Sequence, residues 1–226
     1  DAARTGFDFA VCSDHYSPWL VEQGHAPYAW TVLGAVAQAT SDLQLMTYVT
    51  CPTTRYHPAV VAQKAATLAV LSEGRFTLGV GTGESLNEHV VGGGWPGVGR
   101  RQEMLAEAIE VIRALHTGEL VDHHGEFFDV ESARVWDLPD DPVQIGVAVG
   151  GDRAIEALAP LADHLVAVEP KGEYVEQWNR TDGAPRVGDG GARAIGQVPI
   201  CWAPDEESAV QLAHDEFRWF VGGWSV

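Results

Sequence analysis

Long apolar runs are missing from this 226-residue sequence. None reaches the roughly eighteen residues a membrane-spanning helix needs, and nothing follows the charged, apolar, small-residue order of a secretory signal. Cysteine is scarce: Cys12, Cys51 and Cys201 are an odd, scattered set, each in an apolar segment, which suits buried thiols in a reducing cytoplasm better than a disulfide framework. Cationic residues are scarce too. Lys and Arg total 14 against 32 Asp and Glu, a formal net charge of −18, so the summed field repels nucleic acid and anionic lipid and excludes both as expected partners. An anionic small molecule would need backbone N–H groups and local cations to offset that field.

The motifs of several enzyme classes are also absent. There is no HExxH or CxxC, and His25, His57, His89, His116, His123 and His124 fall mostly in polar loops, so no metal site is expected. No G-x-S-x-G elbow occurs, which removes the serine hydrolase reading. The glycines Gly79, Gly81 and Gly83 precede Glu84 with the spacing G-x-G-x-G-E, neither a dinucleotide fingerprint nor a Walker loop. Missing side chains there would let backbone approach a flat or phosphorylated ligand.

What is present is an alternation. Apolar runs at 7–15, 43–51, 75–83, 143–151, 164–170 and 198–204 read as buried parallel strands. Helical spacing marks 28–40, 58–74, 100–118, 152–163 and 204–220, with Pro58 and Pro204 at helix starts and Gly74 and Gly118 at helix stops. Residues 119–139 interrupt this with two short β-like runs, a hairpin excursion, and 179–193 is glycine-rich and polar, a surface loop. At 46% hydrophobic residues the composition supports one core, hence a single domain over 1–226. The β/α order predicts a parallel sheet, either open and doubly wound or closed as a (β/α)8 barrel. Six strands are visible, so a closed barrel would be incomplete at both ends, as in a fragment of a longer chain.

In a parallel α/β protein the carboxyl ends of the strands gather on one face, where ligands bind. Asp14 and His15 end the first strand, the Thr-Tyr-Val-Thr-Cys turn the second, residues 81–88 the third, Gly150 and Gly151 the fourth, and Glu169 to Lys171 the fifth. His15 beside Asp14 suggests an acid/base pair or the incidental polar residues of a surface loop, Trp19 a lid or a packing residue, and Lys171 a phosphate contact or a solvated surface residue.

Taken together, "SDHYSPW", "QGHAPYAW", "CPTTRYHPAVVAQKAATL", "GRFTLGVGTGESLNEH" and "VGGDRAIEAL" resemble the luciferase-like flavin and deazaflavin oxidoreductases, most closely the branch of F420-dependent glucose-6-phosphate dehydrogenases. The resemblance implies a luciferase-like (β/α)8 barrel with coenzyme F420 across the strand tips. It implies hydride transfer between the cofactor and an alcohol or lactol carbon, in a homodimer. By the same resemblance Asp14 matches a cofactor contact, and His15, Trp19 and Glu84 match the residues around the reacting carbon. Thr82, Gly83 and Asn87 match contacts to the ring, and Gly150 and Gly151 a backbone approach to the phosphate-bearing tail. Tyr48–Val49 matches a bulge with a non-proline cis peptide. Lys171 matches a lysine that holds the sugar phosphate, whereas Val168 stands where that branch has a hydroxyl residue and Cys51 replaces a cofactor-contacting threonine. An FMN-dependent monooxygenase on the same barrel, and a barrel that binds F420 without turnover, stay open as alternatives.

Overall fold

A computed structural model describes residues 2–217. Six strands form one parallel sheet: β1 (Phe9–Cys12), β2 (Gln44–Thr47), β3 (Phe76–Val80), β6 (Gln144–Ala148), β7 (His164–Ala167) and β8 (Ala194–Gly196). Between β3 and β6, β4 (Val121–His124) and β5 (Asp129–Ala133) make a separate antiparallel ribbon. The helices are α1 (Ala29–Ala39), α2 (Pro58–Leu71), α3 (Ser85–Glu88), α4 (Val98–Leu115), α5 (Asp152–Leu158), α6 (Gly172–Arg180) and α7 (Glu206–Phe217).

The sheet order is β1-β2-β3-β6-β7-β8, with pairings such as Val11 to Met46, Leu78 to Ile145 and Val166 to Ile195. A doubly wound sheet reverses its strand order at a switch point. This one never reverses, and α1, α2, α4, α5 and α6 pack each against the next, which is the stave order of a (β/α)8 barrel. Six staves are present among the described residues.

Alternate strand residues face opposite layers. Leu45, Leu78 and Ile145 join the core between sheet and helices, where Ala62, Ala65, Ala66 and Ala69 on α2 offer small side chains that let the helix lie close. Met46 faces the other side. Its Cε would lie 2.6 Å from a side chain at Gly79 and 3.1 Å from one at Gly146, so one methionine fills the barrel interior across two glycine positions.

Two segments depart from expectation. The last strand is Ala194–Gly196, and 198–204 has no regular structure. Pro199 lacks the N–H a ladder requires, and Val198, Ile200 and Trp202 are exposed. The polar segment after β7 forms α6, which buries Trp178 and donates its Nε1–H to Pro185 O at 2.7 Å. The glycine-rich stretch beyond it is tied down, with Val187 N donating to Asn179 Oδ1 (2.8 Å) and Asn179 Nδ2 to Val187 O (3.3 Å). The end of the helix expected over 204–220 and the residues from 218 onward lie outside the described residues. No helix among the described residues is long and apolar enough to cross a membrane.

Candidate active site at the strand tips

The chain leaving β1 sends consecutive side chains different ways. Asp14 is 3% exposed, and its carboxylate is occupied by the protein: Oδ2 accepts from Trp30 Nε1 (3.0 Å) and Thr50 Oγ1 (2.8 Å), Oδ1 from Tyr56 Oη and Arg55 Nη2 (both 3.2 Å). His15 therefore does not take Asp14 as its partner. Its Nε2 lies 3.8 Å from Glu84 Oε2, and its ring packs on Trp19 with centroids 4.4 Å apart and planes tilted 48°. His15 Nδ1 sits 3.3 Å from Ser17 O, an atom that can only accept, so Nδ1 carries the proton and the neutral ring turns its Nε2 lone pair toward Glu84.

Glu84 immediately precedes α3 at the tip of β3, so two adjacent staves supply the pair. Desolvation governs both groups. It pulls the His15 pKa down, with the Arg55 charge adding to that and the Ser17 bond and Asp14 opposing it. It pushes the Glu84 carboxyl up. Both shifts favour the neutral forms, a base with an open lone pair facing an acid that keeps its proton to higher pH.

Asn87, buried on α3, accepts from Tyr16 N (2.9 Å) and Ser17 N (3.2 Å) at Oδ1, fastening the His15 loop to the helix that follows Glu84. The Tyr48–Val49 peptide is cis. Tyr48 O accepts from Ser13 Oγ (3.3 Å), and Tyr48 Oη donates across the sheet to Ala167 O at 2.7 Å. Cys51 is buried behind this surface with Sγ 3.1 Å from Thr53 Oγ1, and burial pushes its thiol up to about 11.

The glycines in and just after β3 serve the protein's own packing, contrary to the reading of open backbone. A side chain at Gly79 would meet Thr47 O at 2.0 Å, one at Gly81 would meet Val49 Cγ2 at 2.7 Å, and one at Gly83 would meet Cys51 Sγ at 2.6 Å. Gly83, with φ +74°, also needs the left-handed freedom of glycine to turn the chain from Thr82 toward Glu84. Gly150 and Gly151 behave differently: no protein atom lies within 4 Å of a side-chain position at either. Lys171 is exposed beyond β7, with Nζ 3.0 Å from Glu169 Oε2, beside an exposed Val168. A cavity of about 240 Å³ opens beside it, lined by Ala167, Pro170, Tyr174 and Ile195 among others, and the larger 690 Å³ cavity lies away from His15, between α4 and residues 160–163 and 183–185. Among the described residues no group of three His, Cys, Asp or Glu side chains is placed to hold a metal ion.

Sequence reasoning passed over Arg55, Trp30, Tyr56, Glu88 and Lys64, which surround Asp14. The scarcity of cations was the available signal, since two of the 14 Lys and Arg residues sit behind the site.

The family model for luciferase-like monooxygenases matches residues 1–223. An F420-dependent glucose-6-phosphate dehydrogenase of Segniliparus rotundus is 39% identical over 213 residues, 90% of this chain and 63% of that protein. Another from Beutenbergia cavernae is 42% identical over 223 residues, 95% of this chain and 66% of that protein. The chain thus spans a little under two thirds of the length of these curated relatives. The solved structure of an F420-dependent secondary alcohol dehydrogenase in complex with an F420-acetone adduct matches with a TM-score of 0.88 at 30% identity, over 98% of this chain and 69% of that one.

Proposed function

Because this chain belongs to the luciferase-like monooxygenase family, we propose that its strand tips bind the deazaflavin F420 and serve hydride transfer between that cofactor and an alcohol or lactol carbon. The observation that carries the reading is the His15–Glu84 pair, 3.8 Å apart with Trp19 against the imidazole. The names of the relatives support the choice of cofactor.

The residues present suit such a group. Gly150 and Gly151 leave backbone open to an anionic tail, as a protein of net charge −18 requires where cations are few. We assign the ring to the surface built from Tyr48, Val49, Thr82 and Gly83, with Cys51 packed behind Gly83 and the buried Asp14 and Asn87 supporting that surface from beneath. Bound there, F420 supplies a ring carbon that takes or returns a hydride. His15 Nε2 accepts the hydroxyl proton as the alcohol is oxidised, because hydride leaves more readily from a carbon bearing an alkoxide-like oxygen. Glu84 supplies the proton that offsets the negative charge arriving with the hydride. Trp19 covers His15 and keeps water from it.

The substrate is a CH–OH compound. A sugar phosphate such as glucose 6-phosphate would place its phosphate at Lys171 in exchange for Glu169, and the exposed apolar Val168 beside it favours an unphosphorylated alcohol. We place the protein in the cytoplasm as a homodimer. Three free cysteines support the reducing compartment, and light scattering of the purified chain tests the dimer.

Titration with F420, FMN and NADP, read by tryptophan emission, tests the cofactor. F420 should bind preferentially, and a preference for FMN would overturn the reading in favour of a monooxygenase. With F420 and either glucose 6-phosphate or a small secondary alcohol, His15→Asn and Glu84→Gln should each lower turnover about 100-fold or more. Unchanged turnover in both variants rejects the acid/base assignment.

A further inference from the structure

The His15–Glu84 pair rests on a buried electrostatic bracket that the scheme above does not use. Arg55, in the loop between β2 and α2, donates from Nη2 to the main-chain O of Asp14 (2.5 Å) and to its Oδ1 (3.2 Å). On its other side, Arg55 N donates to Glu88 Oε2 (2.9 Å), and Arg55 Nε lies 3.5 Å from Glu88 Oε1. The side chains of Arg55, Asp14 and Glu88 are 7%, 0% and 2% exposed. Asp14 directly precedes His15, and Glu88 ends the four-residue helix that begins just after Glu84. One arginine is therefore fastened to both segments whose tips form the pair, while Asn87 ties residues 16 and 17 to the same helix.

We propose that Arg55 and Glu88 are positioning residues that fix the spacing of His15 from Glu84 and set the net charge that His15 faces. Breaking one end of a buried, hydrogen-bonded ion pair leaves the other end uncompensated, so the two residues act as a unit. The groups around His15 divide by sign. Glu84 faces it directly, Asp14 and Arg55 act on it by charge from the β1 tip and the β2 loop, and Ser17 O accepts from its ring. Behind Asp14 stand Tyr56, Tyr28 and Lys64. Arg55 disfavours an imidazolium at His15, and Glu88 offsets part of the Arg55 charge. Removing Arg55 and removing Glu88 must then move His15 in opposite directions, whereas simple loosening of the site would move it upward toward its ordinary value in both cases.

The proposal rests on His15 as the base, but its test does not need the cofactor. The full chain with isotopically labelled histidine is titrated by NMR, with His15 assigned from the signal lost in His15→Asn. The His15 pKa should rise in Arg55→Met, fall in Glu88→Gln and stay near its parent value in Arg55→Lys, which keeps the charge and loses the two-sided clasp. In F420-linked turnover, Arg55→Lys should lower kcat about 10- to 100-fold with KM little changed, as expected for a misplaced base. Unmoved values, or upward shifts in both Met and Gln variants, overturn the proposal. If Arg55→Met does not fold, the Glu88→Gln titration decides alone: a downward shift supports the bracket, and no shift or an upward one refutes it. Failure of the parent chain to bind F420 would instead refute the functional reading and leave the titration result standing.

Discussion

Lys64 shows how a single residue behind the site can be held at a cost. Its Nζ lies 3.4 Å from the Tyr56 ring centre, 4.9 Å from that of Trp30 and 5.1 Å from that of Tyr28, and it is buried without a hydrogen-bond partner. Desolvation brings its pKa down to about 8, although Asp14 draws it the other way. Contact with the ring faces attracts the ammonium by about 0.5–2 kcal/mol, less than the penalty of burying it unpaired, so Lys64→Met should raise stability by about 1 kcal/mol at neutral pH, measured by urea unfolding. The sign has a pH signature. Because the folded pKa lies below the unfolded one, the parent chain should gain stability as pH rises from about 8 through 10.5, and Lys64→Met should lose that rise. Adjacency along the chain misled the sequence reading at the same spot. Asp14 and His15 are neighbours and look like a pair, yet one turns into the protein and the other toward Glu84. His15, Glu84 and Trp19 were legible as strand-tip residues because the end of a buried apolar run marks where side chains leave the core. Arg55 and Glu88 were not, since a loop arginine and a helix-end glutamate look solvated until the fold stacks them.

At the scale of strands and helices, the glycines separate packing from binding. Gly79→Ala would drive a methyl into Thr47 O, which is 2.0 Å from its position, and should cost about 3 kcal/mol or more. Gly150→Ala has open space and should change stability by under about 0.5 kcal/mol. If the tail of the cofactor approaches the backbone there, the same substitution should weaken F420 binding about tenfold, a loss that calorimetry would register and that an unchanged Kd would contradict. The elements themselves were mostly legible. Five of the six sheet strands coincide with apolar runs, and the sixth was displaced because Pro199 disqualifies the more hydrophobic segment beside β8. Helix α6 went unread because it is short and mostly polar, although Tyr174, Val175 and Trp178 stand at helical spacing on its inward face.

Over the whole molecule, alternation of strands and helices was plain in the sequence, but barrel and open sheet share it. Only the strand order, which no local pattern encodes, separates them. Acid sensitivity is also a property of the ensemble of sites. His15, His116 and His164 all have pKa values lowered chiefly by burial, so the unfolded chain binds more protons than the folded one below about 6.5. Stability should fall as pH drops through that value toward the lower folded ones. Glu84 and Glu88, raised by burial, work in the opposite sense at lower pH, down to the 4.5 of an ordinary carboxylate. Thermal midpoints across pH 4 to 8 should therefore decline first and flatten later, and a midpoint constant from pH 8 to 5 would contradict this. The ring contact between His15 and Trp19 gives the chain a built-in optical gauge. Imidazolium quenches indole emission more strongly than imidazole does. The difference spectrum between the parent and Trp19→Phe should dim on acidification and report, by light alone, when the base is loaded with its proton.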